Sequence, residues 1–262
     1  MSSCPEYEHF AEFYDLVDLY RHRPDLAFYL DLAREAAGRV LEAGCGTGRL
    51  LLPIARAGLA IDGLDSAPAM IDICRASLAR EPADVQARVR LYLGDMCDPP
   101  IDEQYALVTI PFRAFLHLLT VDDQLRALTA LRERLQPGGR LVLDVFNPSL
   151  PMLTDQRITI DPVVEPAFTM PDGRRVVRSW RIVSRDYFAQ TQLIDFTFEA
   201  TDREGRVTVQ REQFTLRFMF RYEAEHLLER CGFRVDAVYA DYDRRPVGTI
   251  YPGDLVFVAT RR

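Results

Sequence analysis

No run of 18 apolar residues occurs in this 262-residue chain; its greasiest stretch, "RLLLPIARAGLAI", is interrupted by Pro53, Arg56 and Gly58. A membrane-spanning helix needs about 20 predominantly apolar residues, so none is expected. The amino-terminal "MSSCPEYEHF" has neither a basic n-region nor an apolar h-region. That predicts a protein that is not exported and works in the cytoplasm. A basic stripe is missing too: the formal net charge is −7, with acids and bases mixed along the chain. Phosphate neutralisation drives nucleic-acid binding, so this balance argues against a nucleic-acid partner. The short clusters "DGRRVVRSWR" and "DRRP" read as solvated surface. Cysteine is scarce and scattered: Cys4, Cys45, Cys74, Cys97 and Cys231 form no CxxC pair and are odd in number. They read as reduced thiols rather than a zinc site or a disulfide framework.

What is present suffices for a large core, since 48% of the residues are apolar. Residues 5–20, "PEYEHFAEFYDLVDLY", carry Tyr7, Phe10, Tyr14 and Val17 at helical spacing, with Phe13, Leu16 and Tyr20 widening the stripe. A second helical pattern, "DLAFYLDLAREA", follows Pro24. Strands and helices then alternate. "RVLEAG", "LAIDGLD", "VRLYLGDM", "YALVTIPF" and "RLVLDVF" read as strands. "RLLLPIARAG", "SAPAMIDICRASLAR" and "VDDQLRALTALRERL" read as helices, the second capped by its serine and opened by a first-turn proline. This spacing predicts a doubly wound parallel sheet. From about 151 to 220 the period changes to two. "RRVVRSWRIVSRD", "TQLIDFTFEA" and "RVTVQREQFTLRF" predict an inserted antiparallel sheet. The helix "RYEAEHLLERCGF" and the strands "RVDAVYADYD" and "DLVFVATRR" close the chain.

The chemistry centres on "VLEAGCGTGRL", residues 40–50. Gly44, Gly46 and Gly48 give G-x-G-x-G rather than the G-x-G-x-x-G of dinucleotide sites, so the third glycine arrives one residue early. Glu42, at the carboxyl end of the first strand, would repel a phosphate and suits a cationic or amine-bearing ligand. Asp65 ends the second strand, about 20 residues past the loop, where a carboxylate accepts ribose hydroxyls. Asp95-Met96 follow the third strand: an acceptor for an adenine amino group and a thioether for its ring. All lie at carboxyl ends of strands, where open α/β sheets bind ligands.

The set "VLEAGCGTG", "GLDSAPAMI", "GDM" and "LQPGGRLVLDVF" resembles the class I S-adenosylmethionine-dependent methyltransferases, closely over residues 38–147 and loosely over the last 40 residues. "YEHFAEFYDL" is similar to the lid helices of small-molecule members such as glycine and amino-sugar N-methyltransferases, which often carry a β-rich insertion. The resemblance implies a Rossmann-like seven-stranded methyltransferase sheet with an inserted antiparallel sheet. It also implies S-adenosylmethionine as cofactor, released as S-adenosylhomocysteine. Residues 1–150 would be lid and cofactor-binding core, 151–220 the insertion (substrate cover or dimer contact), and 221–262 the end of the core. Gly44, Gly46 and Gly48 would border the methionine part, with Glu42 beside them. Asp65 would take the ribose, Asp95 and Met96 would hold the adenine, and Ser66 and Met70 would also contact the cofactor. Tyr14 would close over the sulfonium, and Ile110-Pro111 would lie beside the methyl group.

Methyl transfer is an in-line displacement that gains rate from alignment and needs a base only for a protonated acceptor. His117, in "PFRAFLHLL", is the candidate base, against a reading as a histidine packed under the following helix; Tyr14 is the second catalytic candidate, against a place in ordinary core. Arg113 offers a partner for an acceptor carboxylate or phosphate, against a reading as a surface arginine. Arg21 and Arg23 follow the lid helix and would lie within reach of the cofactor carboxylate. His9, His22 and His226 have no evident partner. Asp144 and Asn147 offer two oxygens near strand five, but strand four ends in Thr109 and Ile110, not an acid, so no metal is expected. The expected function is methyl transfer to an amine or hydroxyl of a small molecule, by a monomer or homodimer. A nicotinamide or flavin oxidoreductase and a non-catalytic cofactor-binding protein stay open. The insertion's aromatics (Phe168, Trp180, Tyr187, Phe196, Phe198, Phe214, Phe218, Phe220) suit a pocket wall, a dimer face or simple core.

Overall fold

The computed structural model describes Tyr7 and residues 10–262. Cys4, His9 and most of the first expected helical turns lie outside the described residues. Apolar strands alternating with amphipathic helices must bury both faces of a sheet, and the chain does this in the order α1 (Ala11–Tyr14), α2 (Asp18–Arg21), α3 (Asp25–Glu35), β1 (Val40–Ala43), α4 (Leu51–Arg56), β2 (Ile61–Asp65), α5 (Pro68–Leu78), α6 (Ala83–Gln86), β3 (Val89–Leu93), β4 (Tyr105–Ile110), α7 (Val121–Glu133) and β5 (Leu135–Phe146). There follow α8 (Leu150–Thr154), β6 (Val163–Val164), β7 (Phe168–Thr169), β8 (Arg175–Asp186), β9 (Thr191–Thr201), β10 (Val207–Arg217), α9 (Arg221–Arg230), β11 (Phe233–Tyr239) and β12 (Asp254–Arg261).

The main sheet has the strand order β11-β12-β5-β4-β1-β2-β3. Strands β1 to β5 pair in parallel, and β12 runs antiparallel between β5 and β11. The chain moves outward from β1 through β2 to β3, then returns to lay β4 on the other side of β1. That reversal opens a crevice at the carboxyl ends of β1 and β4, the place where open α/β sheets bind ligands. Period-two alternation sends neighbouring residues to opposite faces: Leu41 joins Val108, Leu128 and Phe257 in one core, while Val40 joins Leu51, Ile61 and Val142 in the other. Thr120 caps α7 by accepting the Asp123 N–H at 3.1 Å.

Two local expectations need correction. The aromatic stripe over 5–20 is not one helix: α1 ends at Tyr14, Val17 is extended (φ −67°, ψ 120°), and α2 restarts at Asp18. The break turns Tyr20 back onto Phe112, 4.9 Å between ring centroids, and tertiary packing overrides the helical period. Ser66 is not the cap of α5 and is exposed; Asp65 instead accepts the Ala67 N–H at 2.9 Å.

The second sheet has the order β10-β9-β8-β6, with β7 also on β8. Its register sets Trp180, Phe196 and Glu212 in one row and Arg178, Phe198 and Gln210 in the next. Phe198 stacks on Phe13 at 4.8 Å and 10°, and Phe10 touches Phe196, Phe198 and Phe214. The inner face of this sheet therefore closes over the lid. The insertion's aromatics divide: Phe198, Phe214 and Phe218 are buried, whereas Tyr187 and Phe220 are exposed. No helix among the described residues is long and apolar enough to cross a membrane.

Candidate cofactor and acceptor site

β1 delivers Glu42 and then the glycine loop into the crevice. Leu64 at the end of β2 accepts the N–H groups of Gly44 and Cys45 at 2.7 and 3.1 Å, which ties the loop to the neighbouring strand. Asp65 secures the loop from its side chain: one carboxylate oxygen takes the Gly46 N–H at 2.7 Å and the other the Ala67 N–H. Burial pushes the Asp65 carboxyl up, and the N–H bonds from Ala67 and Gly46 and the nearby His117 pull against that shift. Gly46 has φ +54°, and a Cβ built there would meet nothing within 4 Å. The loop is thus open on that side.

Glu42 is 3% exposed, and its Oε2 has no hydrogen-bond partner among the described residues. Burial pushes its carboxyl well above the usual carboxylate range; Arg49 opposes this, while Cys74, Asp25 and Asp65 reinforce it. A buried carboxyl oxygen left without a partner can accept a hydrogen bond from a small donor. Asp95 is exposed and accepts the Cys97 N–H at 2.8 Å, so its carboxylate first orders its own turn. Met96 is half-buried against the main core, while Met70 is buried among the lid aromatics and Ser66 faces solvent.

The lid closes the other side. Tyr14 lies among Tyr7, Phe10, Tyr20 and Phe112, and burial raises its hydroxyl well above the ordinary tyrosine value; Tyr20 and Asp65 add to the shift and Arg49 opposes it. Asp15 accepts the Thr47 hydroxyl at 2.6 Å and straps the lid to the glycine loop. Beyond β4, Ile110 is fully buried, and a 3-10 turn over Ala114–His117 presents His117. Its Nε2 lies 2.9 Å from the Tyr7 hydroxyl, and its ring stands 6.1 Å from Phe214. Glu212, buried on β10 beside Phe214, accepts the Tyr7 N–H. His117 and Tyr14 both act electrostatically on or with Asp65, so the expected base and lid tyrosine share one space with the ribose-side acid.

Behind this space runs a chain of buried charge. Arg49 grips Asp25 through two bonds of 2.7 and 2.6 Å, and Asp25 also takes Arg23 at 3.3 Å. Arg23 continues to the Tyr242 hydroxyl and approaches Asp254 and Asp144 at 3.5 and 3.7 Å. Asp254 also pairs with Arg113 at 2.8 Å. Arg113 and Arg23 therefore both pair with the protein's own acids. Asp144 takes the Tyr29 hydroxyl and the Phe112 N–H, and the Asn147 amide donates to the Pro252 carbonyl at 2.7 Å. His22 has a partner after all, an exposed Asp18 at 2.7 Å, a pair worth little in water.

Sequence reasoning passed over Glu212 and read Arg178, in "DGRRVVRSWR", as solvated surface, whereas both side chains are buried. Both are charges at inward positions of alternating strands, and that misfit was the available signal. Arg178 bonds Glu165 and the Tyr20 hydroxyl at 2.9 and 2.7 Å and lies over the rings of Phe10, Tyr20 and Phe196. Phe112 gave no comparable signal.

Residues 40–139 match the family described as a methyltransferase domain. A curated relative, the dTDP-3-amino-3,6-dideoxy-alpha-D-glucopyranose N,N-dimethyltransferase of Streptomyces fradiae, is 30% identical over 51% of this chain and 52% of its own. The chain spans 28% to 52% of the length of the curated relatives it matches at 30% identity or more. The solved CcbJ methyltransferase of Streptomyces caelestis is 24% identical, with TM-score 0.74 over 97% of this chain and 96% of that one. The SAM-bound amino pentose methyltransferase CalS10 of Micromonospora echinaspora is 26% identical, with TM-score 0.65 over 90% of each chain. The match favours methyl transfer over the nicotinamide and flavin alternative. The matched residues carry the glycine loop and the first four strands of a seven-stranded sheet with the class I methyltransferase fold.

Proposed function

We propose that the chain is an S-adenosylmethionine-dependent methyltransferase that methylates an amine of a small molecule of the amino-sugar class. The observation that carries it is the pair of carboxyls at the ends of β1 and β2, Glu42 buried and Asp65 half-buried. Glu42 holds an unpartnered oxygen for an ammonium group, and Asp65 stands beside the open Gly46. These residues fit the cofactor: Glu42 its amino group, the loop its methionine chain, Asp65 its ribose, Asp95 and Met96 its adenine. When bound, that group supplies an electrophilic methyl on sulfur. The chain's own work is alignment and proton removal.

The acceptor face is walled by Tyr7, Phe214 and Phe196, with the Glu212 carboxylate and His117 among them. Aromatic faces and a carboxylate favour an ammonium form on arrival. An amine in that form must lose a proton before it attacks, and the His117 imidazole, aligned by the Tyr7 hydroxyl, takes it. The named actions of the Streptomyces fradiae and Micromonospora echinaspora proteins on amino sugars support the acceptor class. Calorimetry with S-adenosylhomocysteine tests the cofactor; absence of heat from folded protein overturns the reading. Turnover of an amino-sugar panel tests the acceptor. Binding without turnover across amines, phenols and carboxylates favours the non-catalytic alternative.

A further inference from the structure

Phe112 and Arg113 follow β4 with φ of +54° and +65°, two successive side-chain-bearing residues in the left-handed region. L-residues avoid that region, and two in a row persist only where the surroundings hold them. The β4–β5 ladder ends at Ile110 opposite Leu143, so the Phe112 N–H lies past the paired strand. Asp144 takes it instead. This carboxylate on β5 is 0% exposed; Oδ1 accepts the Phe112 N–H at 2.7 Å and the Tyr29 hydroxyl at 2.6 Å, while Oδ2 has no hydrogen-bond partner among the described residues.

The conformation that Asp144 holds decides where the Phe112 ring goes. Its face lies against the guanidinium groups of Arg23 and Arg49 at 4.6 and 5.5 Å. The lid tyrosines Tyr20 and Tyr14 meet it edge-on at 4.9 and 6.2 Å. Arg49 follows the glycine loop directly, so this one ring joins the lid to the cofactor side of the crevice. We propose that Asp144 is a positioning residue for the lid: it holds Phe112 left-handed so that the ring seats Tyr14 and Tyr20 over the glycine loop. Asp144 is itself fully enclosed and acts through Phe112. The proposal rests on the methyltransferase reading for its purpose but not for its geometry.

The test compares Asp144→Ala, Asp144→Asn and Phe112→Leu in the full chain. In hydrogen–deuterium exchange without cofactor, lid amides 10–22 of Asp144→Ala and Phe112→Leu exchange at least about tenfold faster, while amides of β1 and β2 stay within about twofold. Asp144→Asn keeps an oxygen for the Phe112 N–H and retains near wild-type lid exchange. Dissociation of S-adenosylhomocysteine, followed by Trp180 fluorescence, speeds up about tenfold in the first two variants. Unchanged lid exchange, or a rise shared equally by the lid and main sheet, overturns the proposal. Should Asp144→Ala fail to fold, Phe112→Leu decides alone, since it leaves the carboxylate in place. Wild type that binds no S-adenosylhomocysteine sinks the methyltransferase reading, and the exchange measurement still decides the role of Asp144.

Discussion

Gly46 and Gly48 look alike in the sequence and do different work. A Cβ on Gly46 enters open space, whereas one on Gly48 comes 2.7 Å from the Cys74 sulfur. Gly46→Ala should therefore cost only the left-handed backbone, ~1–2 kcal/mol, yet weaken S-adenosylhomocysteine about 100-fold by filling the cradle. Gly48→Ala should lose ~1–3 kcal/mol more from overpacking, seen as a lower melting temperature before any ligand is added. Equal stability losses with equal binding would refute this division. Glu42 gives a pH signature. Its folded-state pKa is raised, so its contribution to stability is present below the unfolded value and is lost as pH rises through the folded value. Glu42→Gln should remove that loss and melt ~2–4 °C above wild type at pH 8, corresponding to ~1 kcal/mol. Cofactor binding should release a proton from wild-type Glu42 and none from the variant, measured by calorimetry in buffers of different ionisation heat. A variant no more stable at pH 8 than at pH 5, relative to wild type, would contradict the buried-carboxyl account. Glu42 and Asp65 were legible because strand ends and a glycine loop mark them locally. Phe112 and Asp144 were not, because the bond joining them connects β4's exit to a strand separated from it by α7.

Among the elements, the lid is where local pattern misled. Phe10, Tyr14 and Val17 keep a helical period, but continuous helix loses to contacts that only the folded molecule supplies. Asp15, at the break, spends its side chain on Thr47 in the glycine loop. That makes Thr47 the link between lid and loop, although its neighbours draw attention as glycines. Thr47→Val keeps the shape and deletes the hydroxyl. It should cost ~1 kcal/mol of stability and loosen S-adenosylhomocysteine about fivefold, mainly through faster dissociation. Unchanged dissociation would mean that the strap does not govern closure. The bonds of Asp65 have the same logic. One carboxylate holds Gly46 and the Ala67 N–H just before α5, so the loop and the entry to the helix share an anchor that the serine-proline pattern concealed.

For the whole molecule, the change from strands alternating with helices to strands alone was enough to reveal two sheets, and the order of strands and helices implied the doubly wound one. How the second sheet hangs on the first was not legible, because the joint is made of contacts between chain segments remote in sequence. Phe13 and Phe10 of the lid reach Phe198, and Tyr20 reaches Arg178. Val176, Phe198, Ala200 and Phe214 cluster with lid residues and Met70, apart from the two cores of the main sheet. The lid is therefore the mortar between insertion and core. Phe198→Ala should remove ~3–5 kcal/mol from that joint, more than a surface ion pair supplies, because the ring is fully enclosed and stacked. The loss should fall unevenly. Exchange protection should drop over residues 10–22 and 175–217 and persist in β1, β2, β4 and β5, whose apolar contacts lie in the other two clusters. Uniform loss across both sheets would show instead that insertion and core unfold as one unit, with the lid contributing no separate seam.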